Sequence, residues 1–277
     1  MHPIVNIAVR AARRGGNVLL RNLERIGDLR VDAKGPSDFV SEVDRTSERE
    51  IIDAIRRAYP GHAILAEESG AHEGDEHVWI IDPLDGTNNY LHGFPHFCVS
   101  IGVRHRGRME HGVVYDPLRE ELFAASRGAG AMLNSRRIRA SQRDRLGDAL
   151  IGTGLPPGNA PVLAAFLESH RSLTAQTALR RSGSAALDLA YVGAGRLDGF
   201  WELGLKPWDM AAGSLIAREA GAMVSGPDGA DDFLERGDIV AANPKLFKTL
   251  VQAVHRGIVA ARRAGAGASV RAAEPRG

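Results

Sequence analysis

Four acidic residues stand where short apolar runs stop or where a loop enters a helix. Ala63-Ile64-Leu65-Ala66 ends at Glu67, and Val78-Trp79-Ile80-Ile81 ends at Asp82. The C-terminal ends of strands are where α/β proteins usually hold ligands. Asp82 leads into Pro83-Leu84-Asp85-Gly86-Thr87-Asn88. Pro83 fixes one backbone angle and Gly86 permits an unusual one, so this is a rigid turn in which Asp82 and Asp85 can point at one centre. Asp209 sits where Lys206-Pro207-Trp208 runs into a helix, and helix N-termini favour anions. Hard divalent cations want oxygen ligands, and magnesium uses few carboxylates while keeping several waters. Two such cations about 4 Å apart suit phosphoryl transfer, one activating water and the other stabilising the leaving oxygen. Taken singly, Asp209 is most simply a helix cap. A single strand-end acid is more often solvated surface than ligand.

Other chemistries find less support. There is no dense Cys/His set for zinc. His92 and His96 are four apart, but Gly93 and Pro95 between them forbid an ordinary helix. The single cysteine, Cys98, lies in an apolar run and reads as a small buried side chain. No G-x-S-x-G nucleophile elbow is present. The 277 residues carry a formal net charge of +1, so no global field draws the chain to nucleic acid or lipid. No run of about 18 apolar residues suggests a membrane span. A cytoplasmic enzyme is the expectation.

These acids need elements to position them. Apolar side chains recur at helical spacing over 3–27, weakened by Gly15-Gly16, and again over 41–58, with Ser41 as a plausible cap. Short strands follow at 63–66, 78–81, 97–104, 109–115 and 121–125, which predicts a mostly antiparallel sheet behind two helices. The second half alternates strand and helix: strands at 149–152, 199–202, 222–224 and 239–242, helices at 159–173, 184–193, 208–220 and 244–256. The expected organisation is an α+β half over 1–150, an α/β half over 151–256 and a mobile Ala/Gly/Arg tail over 257–277. Thr153–Gly158 is a candidate hinge between the halves. The loop Ala71–Glu76 is short and acidic.

Asp82-Pro83-Leu84-Asp85-Gly86-Thr87-Asn88-Asn89-Tyr90 closely resembles the Asp-Pro-aliphatic-Asp-Gly-Thr-x-Asn-aromatic signature of the inositol monophosphatase family. Pro207-Trp208-Asp209-Met210-Ala211-Ala212-Gly213 is similar to its second motif. Asp38 to Asp44 and Glu67-Glu68-Ser69 match in order, so the resemblance spans residues 4–255. Arg180 to Tyr191 looks most like the bacterial branch. The resemblance implies an α/β fold layered as an αβαβα sandwich of the sugar phosphatase type.

It also implies roles. Glu67, Asp82 and the Leu84 carbonyl would hold one Mg2+, and Asp82, Asp85 and Asp209 a second. A third, weaker ion is expected near Glu67, giving two to three per subunit. Asp44 and Thr87 resemble the pair that orients the attacking water, and the amides of Gly86 and Thr87 would bind phosphate. Glu202 matches the acid that meets a substrate hydroxyl, while Gly183, Ser184 and Ala185 match the backbone lining the sugar pocket. Arg180 and Arg181 would lie near substrate or a dimer contact, and Lys34 near a metal loop. The implied activity is lithium-sensitive hydrolysis of inositol-1-phosphate or a similar polyol monophosphate by a homodimer. Histidinol phosphate, fructose 1,6-bisphosphate and adenosine 3′,5′-bisphosphate are alternative substrates. A different role, as a partner in RNA polymerase antitermination assemblies, rests on family analogy alone.

Overall fold

Strand-length apolar runs with both faces buried call for helices on each side, and the fold supplies them. The computed structural model describes residues 2–26, 31–35, 38–155 and 160–272. A two-stranded hairpin, β1 (Val31–Gly35) and β2 (Asp38–Ser41), precedes helix α2 (Glu42–Ala58) and was not anticipated. The side chain of Lys34 lies outside the described residues, as does the 156–158 part of the candidate hinge.

The large sheet has eight strands: β3 (Ala63–Ala66), β4 (Gly70–His72), β5 (His77–Asp85), β6 (Cys98–His105), β7 (Arg108–Asp116), β8 (Glu121–Ser126), β9 (Gly130–Leu133) and β10 (Arg136–Arg137). Their order is β10-β9-β8-β7-β6-β5-β3-β4. Within it only β3 and β5 run parallel, so the sheet is mostly antiparallel as expected. The smaller sheet is mixed, with β11 (Leu150–Thr153), β12 (Ala178–Arg180), β13 (Gly199–Glu202), β14 (Met223–Ser225) and β15 (Ile239–Ala242) in the order β12-β11-β13-β15-β14.

Side-chain alternation along the strands builds the layers. Trp79 and Ile81 of β5 pack with α1 (Pro3–Leu23) and α2 (Glu42–Ala58). Ile80 faces the other way, onto α5 (Ala185–Gly193) and α6 (Pro207–Glu219). Leu189 and Met210 of those helices meet Phe200 and Ala241 of the smaller sheet. Its far face, with Ile151 and Trp201, is covered by α4 (Ala160–Thr174) and α8 (Pro244–Ala272). The result is the expected αβαβα sandwich; two short helices, α3 (Thr87–Leu91) and α7 (Phe233–Arg236), sit in connections.

Small residues set two of the layer spacings. A Cβ on Gly15 would lie 2.8 Å from Ile51 Cδ1 and 2.8 Å from Ser47 Oγ, so this glycine lets α1 close on α2. The intrinsic weakness expected there is the cost of that contact. Likewise a Cβ on Gly112 would come 2.7 Å from Ala212 O, so α6 lies close against the large sheet.

One boundary differs from expectation. The last helix does not stop at 256; α8 continues to Ala272, and Ile258 and Ala261 pack against the outer core. Val254, Ile258 and Ala261 continue one apolar helical stripe, and alanine-rich sequence favours helix over tail. Residues 273–277 of the expected tail lie outside the described residues.

Candidate active site

The large sheet and the first turn of α6 bring the four acids together. Glu67 follows β3, and its amide donates to Ile81 O at 3.1 Å, which ties it to the end of β5. Asp82 and Asp85 close β5 itself. Ser100 Oγ of β6 donates to Trp208 O at 3.1 Å, fixing the start of α6 and with it Asp209. Burial pushes the Asp82 carboxyl well above the usual carboxylate range, and the charges of Glu67, Asp85 and Asp209 push it further. Asp209 is raised too, by burial first and then by Asp85. Asp85 is raised by burial, against the pull of its hydrogen bonds.

Each aspartate commits one oxygen to a backbone amide. Asp82 Oδ1 accepts from Leu84 N at 2.9 Å, Asp85 Oδ2 from Ala186 N at 2.7 Å, and Asp209 Oδ2 from Lys206 N at 2.7 Å. Lys206, not Asp209, is the N-cap of α6; Asp209 is the third helical residue and reaches back to the Lys206 amide, so end-capping and a ligand role would use different oxygens of one carboxylate. That division leaves the second oxygen of each aspartate for a ligand. An all-oxygen set of converging carboxylates that raise one another's affinity for protons fits hard dications, whose charge reverses that repulsion. The residues therefore fit magnesium.

The turn after Asp85 is built for close approach. Gly86 takes φ 100°, in the left-handed region, and a Cβ there would come 3.0 Å from His96 O. Thr87 Oγ1 lies 3.2 Å from Asp44 Oδ1 and 3.0 Å from Leu84 O, so its hydrogen has two acceptors to choose from. Asp44 is 1% exposed. The expected Asp–Thr pair is thus in contact.

Residues of the second half close the site. Ser184 turns its side chain inward: Oγ donates to Asp85 Oδ2 at 2.6 Å, beyond the backbone role expected of it. Ala185 is buried beside it, while Gly183 is exposed. Glu202 ends β13, and burial, then the charges of Asp209, Asp188 and Asp85, hold its carboxyl well above the ordinary range. The Arg181 charge acts on Glu202 in the opposite sense, which places that guanidinium near this acid. Arg180 is exposed and its Nη1 donates to Leu179 O.

Sequence reasoning passed over several supporting groups. Ser47 Oγ donates to Pro83 O at 3.0 Å, and Glu48 accepts from the amides of Glu68 and Ser69. Asn89 Nδ2 donates to His96 O at 2.7 Å and Ser182 O at 2.9 Å, and Ser182 Oγ donates to Asp188 Oδ2 at 2.6 Å. The available signal was position: Asp44, Ser47 and Glu48 share the α2 face that carries Ile51 and Ile55.

A histidine group lies elsewhere. His62, Asp75 and His77 offer ligand atoms within 4.8 Å of one another. Their geometry argues against one shared ion as the rings stand. The His62 and His77 rings stack at 4.4 Å and 10°, and a metal lies in the plane of each imidazole it binds. Trp79 Nε1 also donates to His62 Nδ1 at 3.0 Å, leaving the His62 proton on Nε2, the atom that faces Asp75.

The profile of the inositol monophosphatase family matches residues 1–259. The chain belongs to the inositol monophosphatase family. A family relative, the Nus factor SuhB of Pseudomonas aeruginosa, is 52% identical over 92% of this chain and 96% of its own. The crystal structure of the extragenic suppressor protein suhB from Bartonella henselae superposes with a TM-score of 0.90 at 44% identity, covering 92% of this chain and 100% of that one. The inositol monophosphatase of Anabaena (Nostoc) does so with a TM-score of 0.81 at 39% identity, covering 91% and 95%. Membership of the family supports a phosphatase and a metal requirement. No helix among the described residues is long and apolar enough to cross a membrane.

Proposed function

We propose that this chain is a Mg2+-dependent phosphatase that hydrolyses inositol-1-phosphate or a similar polyol monophosphate. The observation that carries the reading is the trio Asp82, Asp85 and Asp209, each holding itself by one oxygen and leaving the other for a ligand. With Glu67 and the Leu84 carbonyl they would hold two ions, with a third, weaker one beside Glu67. Bound magnesium supplies Lewis-acid charge neutralisation for attacking water and leaving oxygen. Asp44 orients the Thr87 hydroxyl, and that hydroxyl orients the water for in-line attack. The amides of Gly86 and Thr87 bind phosphate oxygens. Glu202, Arg181 and the exposed Gly183 backbone select the alcohol, with Arg180 at the rim. No covalent enzyme intermediate is required, since positioning and charge neutralisation carry phosphoryl transfer.

A panel of inositol-1-phosphate, histidinol phosphate, fructose 1,6-bisphosphate and adenosine 3′,5′-bisphosphate, ranked by kcat/KM with and without Mg2+, tests this. Inositol-1-phosphate ranks first, lithium inhibits, and chelator abolishes turnover. Equal turnover in excess chelator sinks the proposal. A cytoplasmic homodimer is part of the same reading, checked by sedimentation and fractionation.

A second reading is favoured by the relatives' names. Proteins 50–52% identical to this chain are called Nus factors, which points to a role in a transcription antitermination assembly. A pull-down with Asp85→Asn, inactive in turnover, tests it. Retained transcription-complex partners support a role separate from catalysis, and loss of every such partner from both proteins removes it.

A further inference from the structure

The buried face of α2 reaches three parts of the candidate site from one helical turn. Asp44 meets Thr87, Ser47 meets the Pro83 carbonyl, and Glu48 meets the chain just after Glu67. Residues three and four apart share one face of a helix, which is why one turn serves all three. Glu48 differs from the other two in how completely it is used. It is 3% exposed, its Oε2 accepts from Glu68 N at 2.8 Å, and its Oε1 accepts from Ser69 N at 2.9 Å. Among the described residues no lysine or arginine pairs with it. Two consecutive amides therefore balance a buried carboxylate, a rigid bidentate grip of the charge-assisted kind.

That grip lies on the turn that carries Glu67. β3 ends at Ala66, Glu67 N makes its bond to Ile81 O, and β4 begins at Gly70. Between those points Glu48 holds the backbone amides of both Glu68 and Ser69. Rotation of this turn would swing Glu67 away from Asp82, whose charge it feels.

We infer that Glu48 is a positioning residue: by holding the amides of Glu68 and Ser69 it aims the Glu67 carboxylate at the ion-binding acids and so sets metal affinity without touching the metal. The inference rests on the proposed role of Glu67 as a metal ligand. A residue that merely filled the core would affect stability and leave ion binding alone.

Mn2+ titration of the full chain by calorimetry separates these roles, with amide exchange at Glu68 and Ser69 as a second readout. Glu48→Gln presents an NH2 group to one of the two amides and keeps an acceptor for the other. It is expected to bind Mn2+ about 10-fold more weakly, the lower end of what outer-shell partners cost. Exchange at Glu68 and Ser69 rises, while kcat at saturating Mg2+ changes little. Glu48→Asp retains the charge and withdraws it by one methylene, and it serves if the glutamine variant does not fold; the same weakening is expected. A folded variant with wild-type Mn2+ affinity overturns the inference even where its exchange is faster. An Asp85→Asn variant that binds Mn2+ as tightly as wild type overturns the metal reading itself, and this inference with it.

Discussion

Ser184 Oγ stands 2.6 Å from Asp85 Oδ2, joining residues 99 apart in the chain. The same oxygen accepts from Ala186 N at 2.7 Å, so the first turn of α5 closes around this carboxylate. Ser184 is also the N-cap of α5, its Oγ accepting from Leu187 N at 3.4 Å. An acid on the large sheet is thereby fixed by a helix of the central layer. Ser184→Ala removes a hydrogen bond to a buried charged group, which typically contributes about 1.5–3 kcal/mol, and it weakens the cap. Urea unfolding at pH 7 with Mg2+ present is expected to show a loss in that range. A change below about 0.5 kcal/mol, the scatter of a surface substitution, means that the bond is not formed in solution.

The contact between Thr87 and Asp44 predicts a division between binding and turnover. Neither side chain is one of the expected ion ligands, so Thr87→Ala leaves metal affinity close to wild type. It removes the hydroxyl that orients water, and misplacement of a reacting group on the ångström scale costs about 100-fold in rate. Asp44→Asn keeps an acceptor for the hydroxyl and costs less. Steady-state kinetics over a Mg2+ series check this. Equal falls in kcat and in Mg2+ affinity would contradict the assignment.

What the sequence disclosed and what it hid have physical reasons. Glu67 and Asp82 were legible as acids at the ends of apolar runs, a weak signal taken singly, and the ordered motifs around them singled them out. Strand–helix alternation disclosed the α/β character of the second half, while the αβαβα layering was implied by the family resemblance. Glu48 and Asp188 were hidden because an acid inside a helix ordinarily faces water. Only the tertiary fold turns these two inward, onto the Glu68 amide and Ser182. The reach of α8 was hidden because Gly and Arg between Ile258 and Ala272 obscure an apolar stripe whose partner is the distant helix α4. The β1–β2 hairpin was hidden because strands of five and four residues leave little periodicity to detect.

Removing metal should leave carboxyls that hold protons. Burial and mutual charge raise Asp82, Asp85 and Asp209 in the metal-free chain. Adding a dication favours the ionised forms, so binding releases protons. In weakly buffered solution, Mg2+ added to chelator-treated protein is expected to acidify the solution, and Asp85→Asn to reduce the yield. Titration calorimetry in two buffers of different ionisation enthalpy measures the release. Identical heats in both buffers would remove this coupling.

Asp188, which is not among the expected ion ligands, offers a second test of pH dependence. It is 1% exposed, and burial, with a smaller push from the Asp85 charge, raises its carboxyl from 3.8 to about 8 against the pull of the Ser182 hydrogen bond. In the unfolded chain this group loses its proton near the ordinary aspartate value, while the folded chain keeps it to about pH 8. The native state therefore binds more protons between those limits, and this group's contribution to stability falls as pH rises through them, by at most about 1.4 kcal/mol per pH unit. In Asp188→Asn the amide oxygen can still accept from Ser182 and the side chain has no proton to lose, so the substitution abolishes the fall. With Mg2+ held constant, the stability of the variant relative to wild type is expected to grow from pH 5 to pH 8 and to level off above. Urea midpoints at half-unit pH intervals measure it. A difference that stays flat across that window shows that Asp188 is ionised in the fold.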